Sequence, residues 1–326
     1  MNRAATPAAA DVLALVGPTA SGKTPISILL ARTLDAEIIS ADSRQMYRLM
    51  DVGTAKPTAA ERGGIPHYFI DDRMPDEECN AATFGARGRE LIADIQSRGK
   101  VPLVVGGAGL YLRALLDGLF DGPPADDDLK EHLWARCASE GGKTLLEELR
   151  GVDPEAAASM LPSNTKRIVR ALEVYRLTGV PISRLQKQAA IEVPFRSVYV
   201  GLAWDRPALY DRINRRVLKM LDDGLLDEVK ALLAQGYPRS LNALQTVGYR
   251  ETFAFLDGET SAARMTELIQ QNSRRYAKRQ LTWFRHDPRI TWFTLQREEE
   301  FPAVAARIAR YYRSRNGSGP EVQKVL

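Results

Sequence analysis

Short apolar runs punctuate the first third of the chain. VLALV (12–16) ends at Gly17, EIISA (37–41) ends at Asp42 and VPLVV (101–105) ends at Gly106. Continuous runs of this length, closed by turn residues, predict buried strands. Between them, 24–34 and 83–97 read as helices. Strands alternating with helices predict an α/β fold with a parallel-sheet core. The texture changes at Gly118. DGPPADDD (121–128) is Pro- and Asp-rich and opens a strand-poor, helical stretch through Leu185. SVYVGLAW (197–204) restores the strand pattern. The expected architecture is a discontinuous core, 10–119 and 197–314, interrupted by a mainly helical insertion over 120–196. Beyond 205 the pattern is amphipathic helix, and the polar residues 315–326 are expected to be a disordered tail.

Composition narrows the class without choosing a function. The 326 residues are 44% apolar and 26% charged, which excludes wholesale disorder. Cys79 and Cys137 share no metal-like spacing, and His67, His132 and His286 are scattered, so neither a disulfide scaffold nor a zinc site is expected. The N-terminal MNRAATPAAA lacks an apolar core for a signal peptide. Val101–Leu116 is too short to span a bilayer and is broken by Gly106, Gly107, Gly109 and Arg113. A soluble, cytoplasmic protein with no membrane partner is expected, and a monomer.

Charge is unevenly divided. Residues 1–162 hold 17 Lys and Arg against 24 Asp and Glu, a net of 17 − 24 = −7. Residues 163–326 hold 28 against 17, a net of 28 − 17 = +11. Such asymmetry is expected of a protein that meets a polyanion. Three helical segments concentrate the positive charge: Lys166, Arg167 and Arg170; Arg212, Arg215, Arg216 and Lys219; and Arg274, Arg275, Lys278, Arg279 and Arg285. The last stretch holds no acidic residue, which favours phosphate contact. In it Met265, Leu268, Ile269, Tyr276 and Phe284 read as the apolar face, with Trp283 and Phe284 as core residues rather than base-stacking ones.

Residues 17–24 read Gly17-Pro18-Thr19-Ala20-Ser21-Gly22-Lys23-Thr24, an unbroken G-x-x-x-x-G-K-[ST] between a strand and a helix. In that setting successive amides face one phosphate chain and the helix adds the positive end of its dipole. Lys23 adds a point charge, and the Thr24 hydroxyl can ligate a divalent cation. The motif predicts a diphosphate or triphosphate ligand and leaves open which. Asp42 ends its strand at the same sheet edge, where it can hold metal, activate an acceptor or cap a helix. The third strand runs into Gly106-Gly107 instead of a metal-holding Asp, so ATP hydrolysis is poorly supported.

Joined to IISADSRQMYRLMDVGTAKPT (38–58), this loop resembles the tRNA dimethylallyltransferase family, also called tRNA isopentenyltransferases. The resemblance continues through VPLVVGGAGLYLRALLDGL (101–119), RALEVYRLTG (170–179), RVLKMLDDGLLDEV (216–229), ALQTVGYRE (243–251) and AKRQLTWFR (277–285). It implies a P-loop NTPase-like core whose loop grips dimethylallyl diphosphate, with Mg²⁺ held by Thr24, and a helical insertion that clasps the tRNA anticodon stem-loop. The prenyl group would go to N6 of adenosine 37, flipped into a channel. Asp42 would be the general base and Arg216 a catalytic cation near the diphosphate. Segments matching tRNA contacts are Asp42, Ser43, Arg44 and Gln45; Lys130; Lys166, Arg167, Ile168, Val169 and Arg170; Gln245, Thr246, Val247, Gly248, Tyr249 and Arg250; and Lys278, Arg279 and Arg285. Where the family usually has Thr in V-G-G-T-G-L-Y, this chain has Ala108, which removes one polar group from the implied channel. Three other readings remain: a P-loop small-molecule kinase, prenyl transfer to a free adenine nucleotide, and an RNA-binding regulator with a vestigial loop.

Overall fold

The computed structural model describes residues 11–119, 122–123, 126–188 and 193–315. They form two compact units, the described parts of Met1–Leu116 with Val193–Leu326, and those of Asp117–Glu192.

In the larger unit, β1 (Val12–Val16), β2 (Ala36–Ala41), β3 (His67–Tyr68), β4 (Val101–Gly106), β5 (Ser197–Trp204) and β6 (Thr291–Leu295) make one sheet in the order β3-β2-β4-β1-β5-β6. Every pairing is parallel. Alternation builds two cores. Val12, Ala14 and Val16 join Ile39 and Val104 on one face, while Leu13 and Leu15 join Ile38 and Leu103 on the other. Helices cover both faces: α3 (Ala81–Ser97) and α4 (Gly109–Leu116) join the first core and α1 (Lys23–Leu34) the second, while the short α2 (Ala59–Arg62) buries no residue.

The second unit holds α5 (Asp127–Val152), α6 (Pro154–Ala158), α7 (Thr165–Thr178) and α8 (Ile182–Gln188). Leu133, Leu145, Leu149, Ile168, Val169 and Leu172 form its own core. Within α5 the backbone leaves helical geometry at Gly141, which kinks the helix. After β5 come α9 (Arg206–Asp222), α10 (Leu225–Ala234), α11 (Tyr249–Leu256), α12 (Ala262–Arg285), β6 and α13 (Phe301–Arg315).

Three details depart from expectation. TWFTL (291–295) is a strand inside a region expected to be mostly amphipathic helix. It is the edge strand beside β5, so only Phe293 and Leu295 are buried and no continuous apolar run marks it. β3 is two residues long, too short to leave a pattern. Helix α13 continues through Arg315, because Tyr312 packs into the core and its hydroxyl donates to the Asp11 carbonyl. The rest of the expected tail, 316–326, lies outside the described residues.

Candidate functional site

Register brings three strand ends to one level. Gly106 pairs with Ala41 on one side and Val16 on the other, so Asp42, Gly107 and Gly17 leave the sheet side by side. Parallel sheets bind ligands along this carboxyl edge. The loop after β1 turns through left-handed backbone at Ala20 (φ 60°) and Gly22 (φ 87°). Glycine is required at 22, since a Cβ there would lie 2.6 Å from the Phe301 ring. The loop delivers Lys23 and Thr24 into the first turn of α1, which contains no acidic residue to compete with an anion. Lys23 Nζ donates to the Gly17 carbonyl at 3.0 Å and the Pro18 carbonyl at 2.7 Å. Burial pushes its pKa down to about 7. The Asp42 charge opposes that shift and the Arg216 charge adds to it. Ser21 Oγ is buried with no hydrogen-bond partner among the described residues.

Asp42 Oδ1 accepts from the amides of Arg44 at 2.9 Å and Gln45 at 3.3 Å. The residues that follow form turns, so Asp42 caps a turn and not a helix. Arg216 reaches the loop from α9, donating from Nη1 to Thr19 Oγ1 at 3.2 Å and from Nη2 to the Thr54 carbonyl at 3.3 Å. Burial lowers its pKa, with Asp42 holding it up. Lys23 and Arg216 thus direct their donors at neutral oxygens while a carboxylate sits close enough to tune both.

Two site residues escaped sequence reasoning. Gln280 of α12 is buried and bridges the site: its Oε1 accepts from the Thr19 amide at 2.8 Å, and its Nε2 donates to the Gly107 carbonyl at 3.0 Å. Tyr276, one turn earlier, has its pKa pushed up to about 12, by burial first and then by Asp42. The signal for both is their i, i+4 spacing, which puts them on one face of a helix whose basic residues occupy the others. Ala108 donates its amide to the Ala41 carbonyl at 3.3 Å, which sets this side chain beside the strand end that carries Asp42.

The basic segments differ sharply. On α9, Arg212 pairs with Glu298 and stacks 4.3 Å over Trp204, Arg215 pairs with Asp211 at 2.9 Å, and Lys219 pairs with Asp223 at 2.9 Å. The charge there is therefore largely paired, Arg215 and Lys219 with carboxylates one turn away and Arg212 with Glu298 from beyond β6. On α12, Arg274 donates to Asn214 Oδ1 at 2.6 Å, Arg275 to Asn272 Oδ1 at 3.3 Å, and Arg279 lies over Tyr276. Lys278, Arg279 and Arg285 are exposed. Arg275, Lys278, Arg279, Thr282, Trp283 and His286 line an open groove of about 590 Å³. Trp283 is 47% exposed, so it is not the core residue expected, whereas Phe284 is. Gly109 explains the difference by letting the indole lie against the start of α4.

Several residues in the expected tRNA-contact segments are interior. Ile168 and Val169 sit in the core of the smaller unit, and Tyr249 is fully buried with its hydroxyl on Glu228 at 2.6 Å, so these side chains cannot reach a polyanion. Gly248 is buried too, while Thr246 and Val247 are half-buried. Lys166, Arg167, Gln245 and Arg250 are exposed. Arg170 is pinned by Glu173 at 2.9 Å and the Pro123 carbonyl at 3.1 Å. Lys130 makes only a loose pair with Asp127 at 3.9 Å. Ser43, Arg44 and Gln45 are half-buried beside Asp42.

Comparison with known proteins follows the same lines. The family model described as IPP transferase matches residues 45–287. The tRNA dimethylallyltransferase 1 of Pelobacter propionicus is 48% identical over 306 residues, 94% of this chain and 97% of that protein. A crystal structure of the full-length tRNA isopentenylpyrophosphate transferase from Bacillus halodurans superposes with a TM-score of 0.69 at 41% identity, covering 93% of this chain and 97% of that one. A eukaryotic dimethylallyltransferase, in structures described as snapshots of the enzyme acting on tRNA, gives 0.77 at 27% identity, covering 92% of this chain and 77% of that one.

Proposed function

The chain belongs to the IPP transferase family, and on that footing we propose that it transfers the dimethylallyl group of dimethylallyl diphosphate to N6 of adenosine 37 in tRNA. It is a prenyltransferase with the P-loop turned to a diphosphate. The observation that carries this reading is the convergence of two half-buried cations, Lys23 and Arg216, on the phosphate loop, with one carboxylate, Asp42, near enough to influence both at the carboxyl edge of the sheet.

Each residue has a defined task. The loop amides toward Gly22, Lys23 and Thr24 and the N-terminus of α1 receive the diphosphate. Lys23 and Arg216 offset the charge that grows on it as the bond between the prenyl carbon and oxygen breaks. In a buried site such cations act far more strongly than in water. As N6 bonds to the prenyl carbon, its proton becomes acidic and passes to Asp42 Oδ, held in place by the amides of Arg44 and Gln45. Diphosphate leaves and the prenylated base is released.

A Mg²⁺ ion fits the donors present. No cluster of three or more His, Cys, Asp or Glu exists among the described residues. The Thr24 hydroxyl is a hard oxygen suited to an ion that keeps most ligands as water and diphosphate oxygens. Bound there, the ion would add charge neutralisation at the leaving group. The tRNA itself would lie on α12 through Lys278, Arg279 and Arg285, on Gln245 and Arg250, and on the helical unit through Lys130, Lys166 and Arg167. A monomer acting in the cytoplasm accompanies this reading. No helix among the described residues is long and apolar enough to cross a membrane.

The test is direct. The protein, Mg²⁺ and dimethylallyl diphosphate are incubated with an anticodon stem-loop bearing adenosines at 36–38, and the digested nucleosides are weighed by mass spectrometry. Prenylated adenosine from position 37 is expected. Product from free AMP but not from the stem-loop would move the enzyme to the nucleotide-acceptor class. ATP consumption on a small alcohol, with no prenylated product, would make it a kinase.

A further inference from the structure

The segment from Asp42 to the start of α2 at Ala59 carries much of the site yet contains no helix and no named strand. Its backbone polar groups must find partners elsewhere. Three consecutive amides do so on one side chain. Asp51 N and Val52 N donate to Glu228 Oε2 at 2.6 and 2.7 Å, and Gly53 N donates to Oε1 at 2.9 Å. The buried Tyr249 hydroxyl donates to the same Oε1 at 2.6 Å. Gly53 permits this packing, because a Cβ there would lie 2.4 Å from the Tyr249 ring. Glu228 lies in the first turn of α10, where a carboxylate commonly serves the amides of its own helix. Here it serves another loop.

The clamp ends one residue from the chemistry. The Thr54 carbonyl accepts from Arg216 Nη2 and from Gln45 Nε2, both at 3.3 Å. Gln45 in turn gives its amide to Asp42. On the far side, Lys56 Nζ donates to the carboxylates of Asp51 and Asp71 and to the Tyr47 carbonyl, each at 2.6 Å. The loop is therefore tied at 51–53 and 56, and between them lie the Thr54 carbonyl, shared by Arg216 and Gln45, and the Ala55 carbonyl, which accepts from Gln45 Nε2 at 3.1 Å. We propose that Glu228 is a positioning residue for prenyl transfer: through the 51–53 amides it fixes the Thr54 carbonyl, and so aims Arg216 at the diphosphate and steadies the turn that holds Asp42. The inference rests on the functional reading above for the roles of Arg216 and Asp42.

Glu228→Gln tests it, because the amide keeps the size but puts a donor against backbone donors. Single-turnover prenylation of the stem-loop is measured in the wild-type and Arg216→Ala backgrounds. In the wild-type background the rate at saturating substrates should fall about 10-fold or more, with stem-loop Kd changed less than about twofold. In the Arg216→Ala background the same change should cost less than about twofold, since the residue it aims is already gone. Tyr249→Phe keeps the ring and removes one donor, so it gives a milder loss, about two- to fivefold, which also shrinks in the Arg216→Ala background. It decides the matter if Glu228→Gln fails to fold, as shown by circular dichroism and lost stem-loop binding. Equal losses in both backgrounds, or no loss beside an active wild type, would overturn the proposal. An inactive wild type would instead overturn the functional reading.

Discussion

Helices α9 and α12 carry similar densities of positive charge, but the charges meet different partners. On α9, Arg212, Arg215 and Lys219 are closed off by Glu298, Asp211 and Asp223, and Arg216 points into the phosphate site. On α12 the inward residues Tyr276 and Gln280 serve the site, while Lys278, Arg279 and Arg285 face solvent with no carboxylate in ion-pair range among the described residues. One helix thus turns its free charge inward to a small anion, the other outward to a large one. Counting Lys and Arg along a helix does not separate these cases. The position of the surrounding carboxylates, on the helix and beside it, does.

The largest effect should come from the inward side. Arg216→Ala should lower the single-turnover rate about 10²- to 10³-fold, the scale of losing one buried donor at a developing charge, with stem-loop Kd nearly unchanged. If Kd rose substantially instead, α9 would belong to the tRNA surface after all. Lys23 offers a pH test of the same side. Its pKa of about 7 must rise when an anion binds beside it, so binding takes up a proton above pH 7. Affinity for dimethylallyl diphosphate should weaken as pH climbs from 7.5 to 9, by up to about tenfold per unit. Calorimetry in buffers of different ionisation enthalpy should find uptake of about one proton near pH 8.5. A pH-independent affinity would contradict the lowered pKa of Lys23.

On the outward side, Lys278→Ala with Arg279→Ala should weaken stem-loop binding and reduce its salt slope by about one to two. Smaller again is Ala108→Thr, which restores a hydroxyl beside Asp42 and should raise the rate about two- to tenfold, the worth of one hydrogen bond. Arg215→Ala with Lys219→Ala should change stem-loop affinity less than about twofold, because both charges are already paired on the surface.

The sheet was legible because the middles of β1, β2, β4 and β5 are buried on both faces and read as mainly apolar runs, with Glu37 and Ser40 the polar exceptions in β2. β6 was hidden by being at the edge. The phosphate loop was legible because its glycines answer to backbone geometry that few sequences satisfy. Gln280 was not, since a polar residue on a basic helix looks like surface until the fold turns it toward Thr19 and Gly107. Nor was Glu228, whose partners are backbone amides some 175 residues away in the chain. Trp283 read as core because its helical phase is apolar. Only the glycine at 109 explains how it lies on the surface of α4.

The division between inward and outward charge is tested most directly by single-turnover prenylation at saturating stem-loop and dimethylallyl diphosphate, comparing Arg216→Ala with the Lys278→Ala, Arg279→Ala pair. The paired variant should recover a rate within about twofold of wild type once the stem-loop is saturating, while Arg216→Ala should stay at least about 100-fold slower at any concentration. A paired variant that remains slow at saturation, or an Arg216→Ala enzyme rescued by more stem-loop, would contradict the account.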